Sequence, residues 1–97
     1  MLTITMAERL SDDVIDAGVS KLSWNREGDE LVKEVTRSDF VDAVRFVDAL
    51  VPVAEEANHH PDIAISWNKV TLRLTTHSAG GLTQLDLDLA AKIDQLT

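Results

Sequence analysis

The sequence predicts a small α+β domain in which helices pack on one face of an antiparallel sheet. The chain has 97 residues, which is enough for one domain and too few for two. Two runs of alternating apolar residues stand close together in the second half, and this spacing predicts a β-hairpin. Apolar residues at helical spacing precede and follow the hairpin, so the helices are separate from it. Strands joined by a hairpin with separate helices are typical of an antiparallel α+β domain.

The first half of the chain is predicted to contain a helix and two short strands. Ser11 is a suitable N-cap, and Leu10 and Ile15 occupy the two positions of a hydrophobic staple. This helix is expected to end at about Lys21. Two strands separated by a Gly-Asp turn are expected next, over residues 24–27 and 30–37.

A long amphipathic helix is expected to begin at a Ser38 cap and to reach about Asn58. Pro52 lies inside it, but the apolar residues keep their phase across the proline, so one helix with a kink is predicted. The apolar stripe recurs at steps of four and three residues: Phe40, Val44, Val47, Val51 and Ala54.

The predicted hairpin and a final helix complete the chain. If Asn68 and Lys69 form a two-residue turn, Trp67 and Val70 face each other on one side of the sheet. Thr83, followed three residues later by Asp86, resembles a capping box and marks the start of the last helix. The predicted order is therefore α-β-β-α-β-β-α, with a four-stranded antiparallel sheet and three helices on one face.

Charge and composition exclude several classes of function. The chain has 9 basic and 17 acidic residues and a net charge of −8, which disfavours binding to nucleic acid or to anionic membranes. It has no cysteine, which excludes disulfides and thiolate metal centres. No apolar run approaches the roughly 18 residues of a membrane span, and no secretory signal is evident, so a cytoplasmic protein is expected. Residues 1–6 are expected to be extended or disordered.

All three histidines lie where predicted elements end. His59 and His60 follow the long helix, and His77 follows the hairpin. Histidine exchanges protons near neutral pH, so an acid–base site is one interpretation. Glu55 stands four residues before His59 and is expected on the same helix face. Two other interpretations stay open: surface histidines at a helix C-terminus, and a metal site, although the spacing matches no common metal motif.

The segment from Glu55 to Ala90 resembles the signature of the pterin-4a-carbinolamine dehydratase family. The resemblance extends over nearly the whole chain and includes the element order. Departures from the family pattern occur at Val35, Arg37, Pro52 and Asn58. The matching positions, at fixed spacing, are Glu55, His59-His60-Pro61, Trp67-Asn68-Lys69-Val70, Thr75-Thr76-His77, Gly81-Leu82-Thr83, Asp86 and Leu89-Ala90.

This resemblance implies a hydro-lyase that removes water from 4a-hydroxytetrahydropterin to give quinonoid dihydropterin, as part of tetrahydropterin recycling. It implies no cofactor, because the ring of the substrate carries the electrons. No functional metal is expected either, because the chain has no cysteine and the ligand spacing is poor. His59 and His77 would transfer protons, and His60 would bind and orient the ring. The residues implied to bind substrate are Glu55, Asn58, Pro61, Trp67, Thr75, Thr76 and Asp86.

The resemblance also implies self-association. A homodimer or homotetramer is expected, since the edge strands of an open sheet pair readily with another chain. The alternative function is a non-catalytic pterin-binding or protein-dimerisation module of the same fold. Neither nucleic acid nor membrane is expected as a partner.

Overall fold

The computed structural model describes residues 8–97, which fold in the predicted order of elements. The predicted extended or disordered state of residues 1–6 lies outside the described residues. A one-turn 3-10 helix stands between the last strand and the last helix, at His77–Ala79. The main elements are α1 (Asp12–Val19), β1 (Asn25–Glu27), β2 (Glu30–Thr36), α2 (Phe40–Ala57), β3 (Asp62–Ser66), β4 (Lys69–Leu74) and α3 (Gln84–Asp94).

The four strands form one antiparallel sheet, which confirms the predicted fold class. Their order is β1-β2-β4-β3, so β1 and β3 are the two edges. The central strands β2 and β4 pair from Leu31 opposite Leu74 to Thr36 opposite Lys69. Alternate side chains of these two strands enter the core, because successive residues of a strand point to opposite faces. Those buried core residues are Leu31, Val35, Val70, Leu72 and Leu74.

The β3–β4 hairpin turns one residue earlier than predicted. Ser66 pairs with Lys69, so the two turn residues are Trp67 and Asn68, and Trp67 does not face Val70. Trp67 has a left-handed backbone with φ 52°. The reason for this register is long-range: the Asn68 side-chain amide donates to the Arg37 carbonyl, and the Arg37 N–H donates to the Asn68 carbonyl.

Helix α2 begins one residue later than predicted. Its N-cap is Asp39, which accepts from the Asp42 N–H, and not Ser38. Ser38 instead donates its N–H and hydroxyl to the Asp42 carboxylate, which Arg37 also contacts. The Ser38 N–H first, and then Arg37, hold the pKa of Asp42 at about 2, below its usual value of 3.8. The helix continues through Pro52 to Ala57, which confirms a single helix.

The apolar stripe predicted on α2 is not the face that packs on the sheet. The buried face consists of Ala43, Phe46, Leu50 and Ala54. Of the five predicted stripe residues only Ala54 is buried and Val47 is partly buried, whereas Phe40, Val44 and Val51 are exposed. Helix α2 therefore carries two adjacent apolar stripes, and periodicity alone could not show which one meets the core.

Helices α1 and α3 pack against each other at a glycine of α1. Ser11 caps α1 as predicted, but the helix ends at Val19, two residues before the predicted end. A Cβ on Gly18 would lie 2.8 Å from a methyl of Leu87, so the missing side chain lets α1 approach α3. The predicted capping box of α3 is confirmed, with Thr83 and Asp86 bonding reciprocally.

Candidate active site

The three histidines lie at one end of the sheet, beyond α2 and β4. Helix α2 ends at Asn58, whose left-handed backbone (φ 49°, ψ 40°) turns the chain away from the helix axis. His59 therefore leaves the helix, and Glu55 contacts the Nε2 of His60 instead. The expectation that Glu55 and His59 share a helix face is wrong for this reason.

His59 contacts a fully buried carboxylate. Its Nε2 lies 2.5 Å from Oδ1 of Asp86, and only 11% of the His59 side chain is exposed. Asp86 is the capping-box residue at the start of α3, twenty-seven residues further along the chain. A buried carboxylate needs such partners, because an ionised group without hydrogen bonds is costly in the interior.

The other contacts of Asp86 determine which atom carries each proton. Oδ2 accepts from the Thr76 hydroxyl at 2.8 Å and from the Thr83 N–H at 2.9 Å. The Thr83 hydroxyl accepts from the Leu85 N–H, and it donates to Thr76 at 2.9 Å because Thr76 gives its single hydroxyl proton to Asp86. An ionised Asp86 carboxylate can only accept, so it accepts from Nε2 of His59 at Oδ1. Nδ1 is then the ring nitrogen of His59 that can accept a proton.

Thr76 connects this network to His77, its neighbour in the chain. The Thr76 N–H donates to the Gly81 carbonyl, and the Thr76 carbonyl accepts from Ala79 and Gly81. A tight loop thus uses the backbone N–H and carbonyl of Thr76, and binding of a pterin by Thr76 stays a prediction. The role of Thr76 is to hold Asp86 and the loop of His77. The Thr75 hydroxyl donates to the Asp29 carbonyl at 2.7 Å.

His60 and His77 are both exposed, in contrast to His59. His77 opens the 3-10 helix, and Nε2 of His60 contacts the Glu55 carboxylate, with both side chains more than half exposed. Asn58 and Pro61 flank the histidine pair. The site thus combines one oriented imidazole with two accessible ones. Such a set can give and take protons on a bound ring.

Trp67 is the predicted site residue that the structure does not bring to the histidines of the same chain. It stands at the tip of the hairpin and is 69% exposed. Strand β3 separates it from Asp62 at the histidine end, a span of about 17 Å at the usual rise of a strand.

The sequence predicted the cap of α3 but not the contact of its Asp86 with His59. The Thr-x-x-Asp pattern predicted the cap, but only one oxygen of Asp86 is needed for it. The second oxygen was free to hold His59, and Thr83 supports that contact through Thr76. One sequence feature could have indicated this contact: the capping-box carboxylate comes shortly after a loop that bears a histidine.

Two classes of feature are absent from residues 8–97. No three histidine or carboxylate side chains there are arranged to hold a metal ion. No helix in that part of the chain has the length and apolar character to cross a membrane. The absence of a functional metal stays a prediction that activity measurements must test.

The sequence and the fold of this chain are both similar to those of proteins named as pterin dehydratases. The family model described as Pterin 4 alpha carbinolamine dehydratase matches residues 8–96. A relative from Nostoc sp., provisionally named pterin-4-alpha-carbinolamine dehydratase, is 54% identical and covers 94% of this chain and 99% of its own. The transcriptional coactivator/pterin dehydratase of Brucella melitensis superposes with a TM-score of 0.86 at 27% identity, over 92% of this chain and 98% of that one. A pterin dehydratase-like RuBisCO assembly factor of the alpha-carboxysome shares the fold, with a TM-score of 0.61 at 24% identity, over 77% and 87%.

Proposed function

Because this chain belongs to the pterin-4a-carbinolamine dehydratase family, we propose that it removes water from a 4a-hydroxytetrahydropterin to give quinonoid dihydropterin. The observation that carries the proposal is the contact of Asp86 with both His59 and Thr76. It joins the segment bearing His59 and His60 to the one bearing His77. It also orients one imidazole with a nitrogen free to accept a proton.

The proposed reaction needs one proton donor and one proton acceptor. A proton reaches the 4a-oxygen, the C4a–O bond breaks and water leaves. The N5 lone pair forms the C4a=N5 double bond, and the N5 proton goes to a base. We assign that base to Nδ1 of His59, because the Asp86 carboxylate would stabilise the imidazolium that forms. His77 is the donor, and His60, held by Glu55, binds and orients the ring.

The test is the rate of quinonoid dihydropterin formation from freshly made carbinolamine, above the spontaneous rate. His77→Ala should lower this rate by about 10²–10⁴-fold, the usual contribution of an acid–base group. Ser78→Ala is the matched control, because Ser78 is an exposed neighbour in the same 3-10 helix. Equal rates for wild type and His77→Ala would remove His77 from the mechanism.

The biological setting belongs to the same proposal. We expect the reaction to serve the recycling of tetrahydrobiopterin or a related tetrahydropterin in the cytoplasm, without a cofactor. We also expect a homodimer or homotetramer. Sedimentation velocity at micromolar concentration tests the assembly, and a monomer would contradict it.

A second candidate is a non-catalytic pterin-binding or dimerisation module. The observation that favours it is the exposed apolar surface on α2 (Phe40, Val44 and Val51), which is suited to contact with another protein. The two candidates differ in one measurement. A wild-type protein that binds dihydropterin but leaves the spontaneous dehydration rate unchanged would be a binding module.

A further inference from the structure

The loop that carries His77 runs from Thr75 to Gly81, and the turn between β1 and β2 holds it at both ends. At the first end, the Thr75 hydroxyl donates to the Asp29 carbonyl at 2.7 Å. At the other end, the Arg9 side chain lies against Gly81, and its guanidinium donates to the Asp29 carboxylate at 3.2 Å. One turn residue, Asp29, is therefore connected to both ends of the loop through different atoms.

Gly81 lets the arginine lie close to the end of the loop. A Cβ at this position would stand 2.7 Å from Nε of Arg9 and 3.4 Å from its Cζ, so a side chain there would displace the guanidinium. The backbone supports the same approach: the Leu10 N–H donates to the Leu82 carbonyl at 2.9 Å, and Arg9 forms an antiparallel bridge with Thr83. Side chain and backbone together thus keep the arginine across the end of the loop.

The ion pair between Arg9 and Asp29 is suited to fixing a loop and adds little to the stability of the domain. Both side chains are more than half exposed, and such pairs are weak. The residues His77, Ser78 and Gly80 of the loop are themselves exposed. Exposed segments open at a lower cost than the core, so a weak contact can decide the position of this loop without changing the melting temperature much.

We propose that Arg9 and Asp29 are positioning residues, which hold His77 where it can give its proton to the 4a-oxygen. The role of His77 as the donor rests on the proposed function, whereas the hold of the ion pair on the loop does not. Loss of the pair should lower kcat about fivefold, because an exposed ion pair favours one loop arrangement by no more than about that factor. KM should stay nearly unchanged, since the pair acts through the loop and not through substrate.

Neutralising the acid of the pair is the first test. Asp29→Asn removes the charge but keeps the backbone carbonyl that Thr75 uses. Glu34→Gln is the matched control, because Glu34 forms a similarly exposed ion pair with Lys69. The expected result is a kcat of about a fifth of the wild-type value in Asp29→Asn alone, with the Tm of both variants within about 4 °C of wild type. An unchanged kcat in Asp29→Asn, in an active enzyme, would overturn the proposal.

Gly81→Ala disturbs the same contact from the side of the loop. The backbone of Gly81 is not left-handed, so alanine brings no backbone strain, but its methyl would meet the Arg9 side chain. The dehydration rate should fall about as far as in Asp29→Asn. In an Arg9→Ala background the colliding side chain is gone, so adding Gly81→Ala should cost no further activity. Additive losses from Arg9→Ala and Gly81→Ala would contradict the coupling.

Amide hydrogen exchange reports on the loop without any substrate. The Ala79 N–H, which donates to the Thr76 carbonyl, should exchange about fivefold faster in Asp29→Asn and Gly81→Ala, and at the wild-type rate in Glu34→Gln. Unchanged exchange in the first two variants would overturn the proposal even in an active dehydratase. A wild type without dehydratase activity would overturn the proposed function and the catalytic part of this proposal, and faster exchange would then still support the hold of the ion pair on the loop.

Discussion

Replacing Asp86 with asparagine should reverse the proton position on His59 while leaving the fold nearly intact. The side-chain oxygen of the new residue can take the place of Oδ2 and accept from Thr76 and Thr83, as the carboxylate does. The amide NH₂ must then face His59. Nε2 of His59 changes from donor to acceptor, and the ring proton moves to Nδ1, the nitrogen assigned as the base.

The asparagine variant is expected to lose far more of its dehydration rate than of its stability. Loss of the base should lower the dehydration rate by about 10²–10⁴-fold; a wrong histidine tautomer in the Ser-His-Asp triad costs about 10⁴. The fold exchanges one charge-assisted hydrogen bond for a neutral one. This lowers the free energy of unfolding by about 1 kcal/mol, or roughly 4–8 °C in Tm.

Asp86→Ala is the control for a purely structural role. It leaves the buried Thr76 hydroxyl and Thr83 N–H without their acceptor, which costs about 1–3 kcal/mol for each group. A loss of about 4 kcal/mol is a large part of the 5–15 kcal/mol that stabilises a domain. The alanine variant should therefore melt far earlier than the asparagine variant.

The measurements are the rate of quinonoid dihydropterin formation, thermal melts, and the nitrogen chemical shifts of the His59 ring by NMR. An asparagine variant within about threefold of the wild-type rate, folded and with the proton moved to Nδ1, would refute the assignment of Nδ1 as the base.

Three further outcomes are expected. Lys33→Met should lower the free energy of unfolding by about 1–3 kcal/mol, because Oδ1 of the partly exposed Asp94, itself a buried atom, loses its ammonium partner at 3.0 Å; a change in Tm under about 4 °C would contradict this. Asp42 has a depressed pKa of about 2, so its stabilisation is present above pH 3.8 and is lost as the pH falls towards 2. The difference in Tm between wild type and Asp42→Asn should therefore shrink over that interval, and a constant difference would speak against the ion pair. Extended dialysis against a chelator should leave dehydratase activity unchanged, and a loss that zinc restores would favour the metal interpretation.

The sequence predicted the order of elements because most of its signals are local. The Ser11 cap and the capping box of α3 each depend on residues within one turn, and both formed as expected. The prediction failed where distant residues decide. The hairpin register depends on Asn68 bonding to Arg37, the residue that follows β2, and no local pattern contains that contact.

Helix α2 shows the same limit at the level of packing. Two apolar stripes satisfy helical periodicity equally well, and the one with Phe46 and Leu50 is the buried one. The stripe with Phe40 and Val51 remains at the surface. Helical spacing of apolar residues therefore does not show which stripe is buried, because protein surfaces also contain apolar side chains.

The site itself depends on a residue with two tasks. Asp86 was predictable as a helix cap from Thr83 alone, whereas its contact with His59 arises only when α3 packs beside the end of α2. One oxygen stabilises the start of a helix and the other orients the imidazole, so the precision of the histidine follows from the rigidity of the cap. Any substitution that loosens the start of α3, even one far from substrate, should therefore lower the dehydration rate before it unfolds the protein.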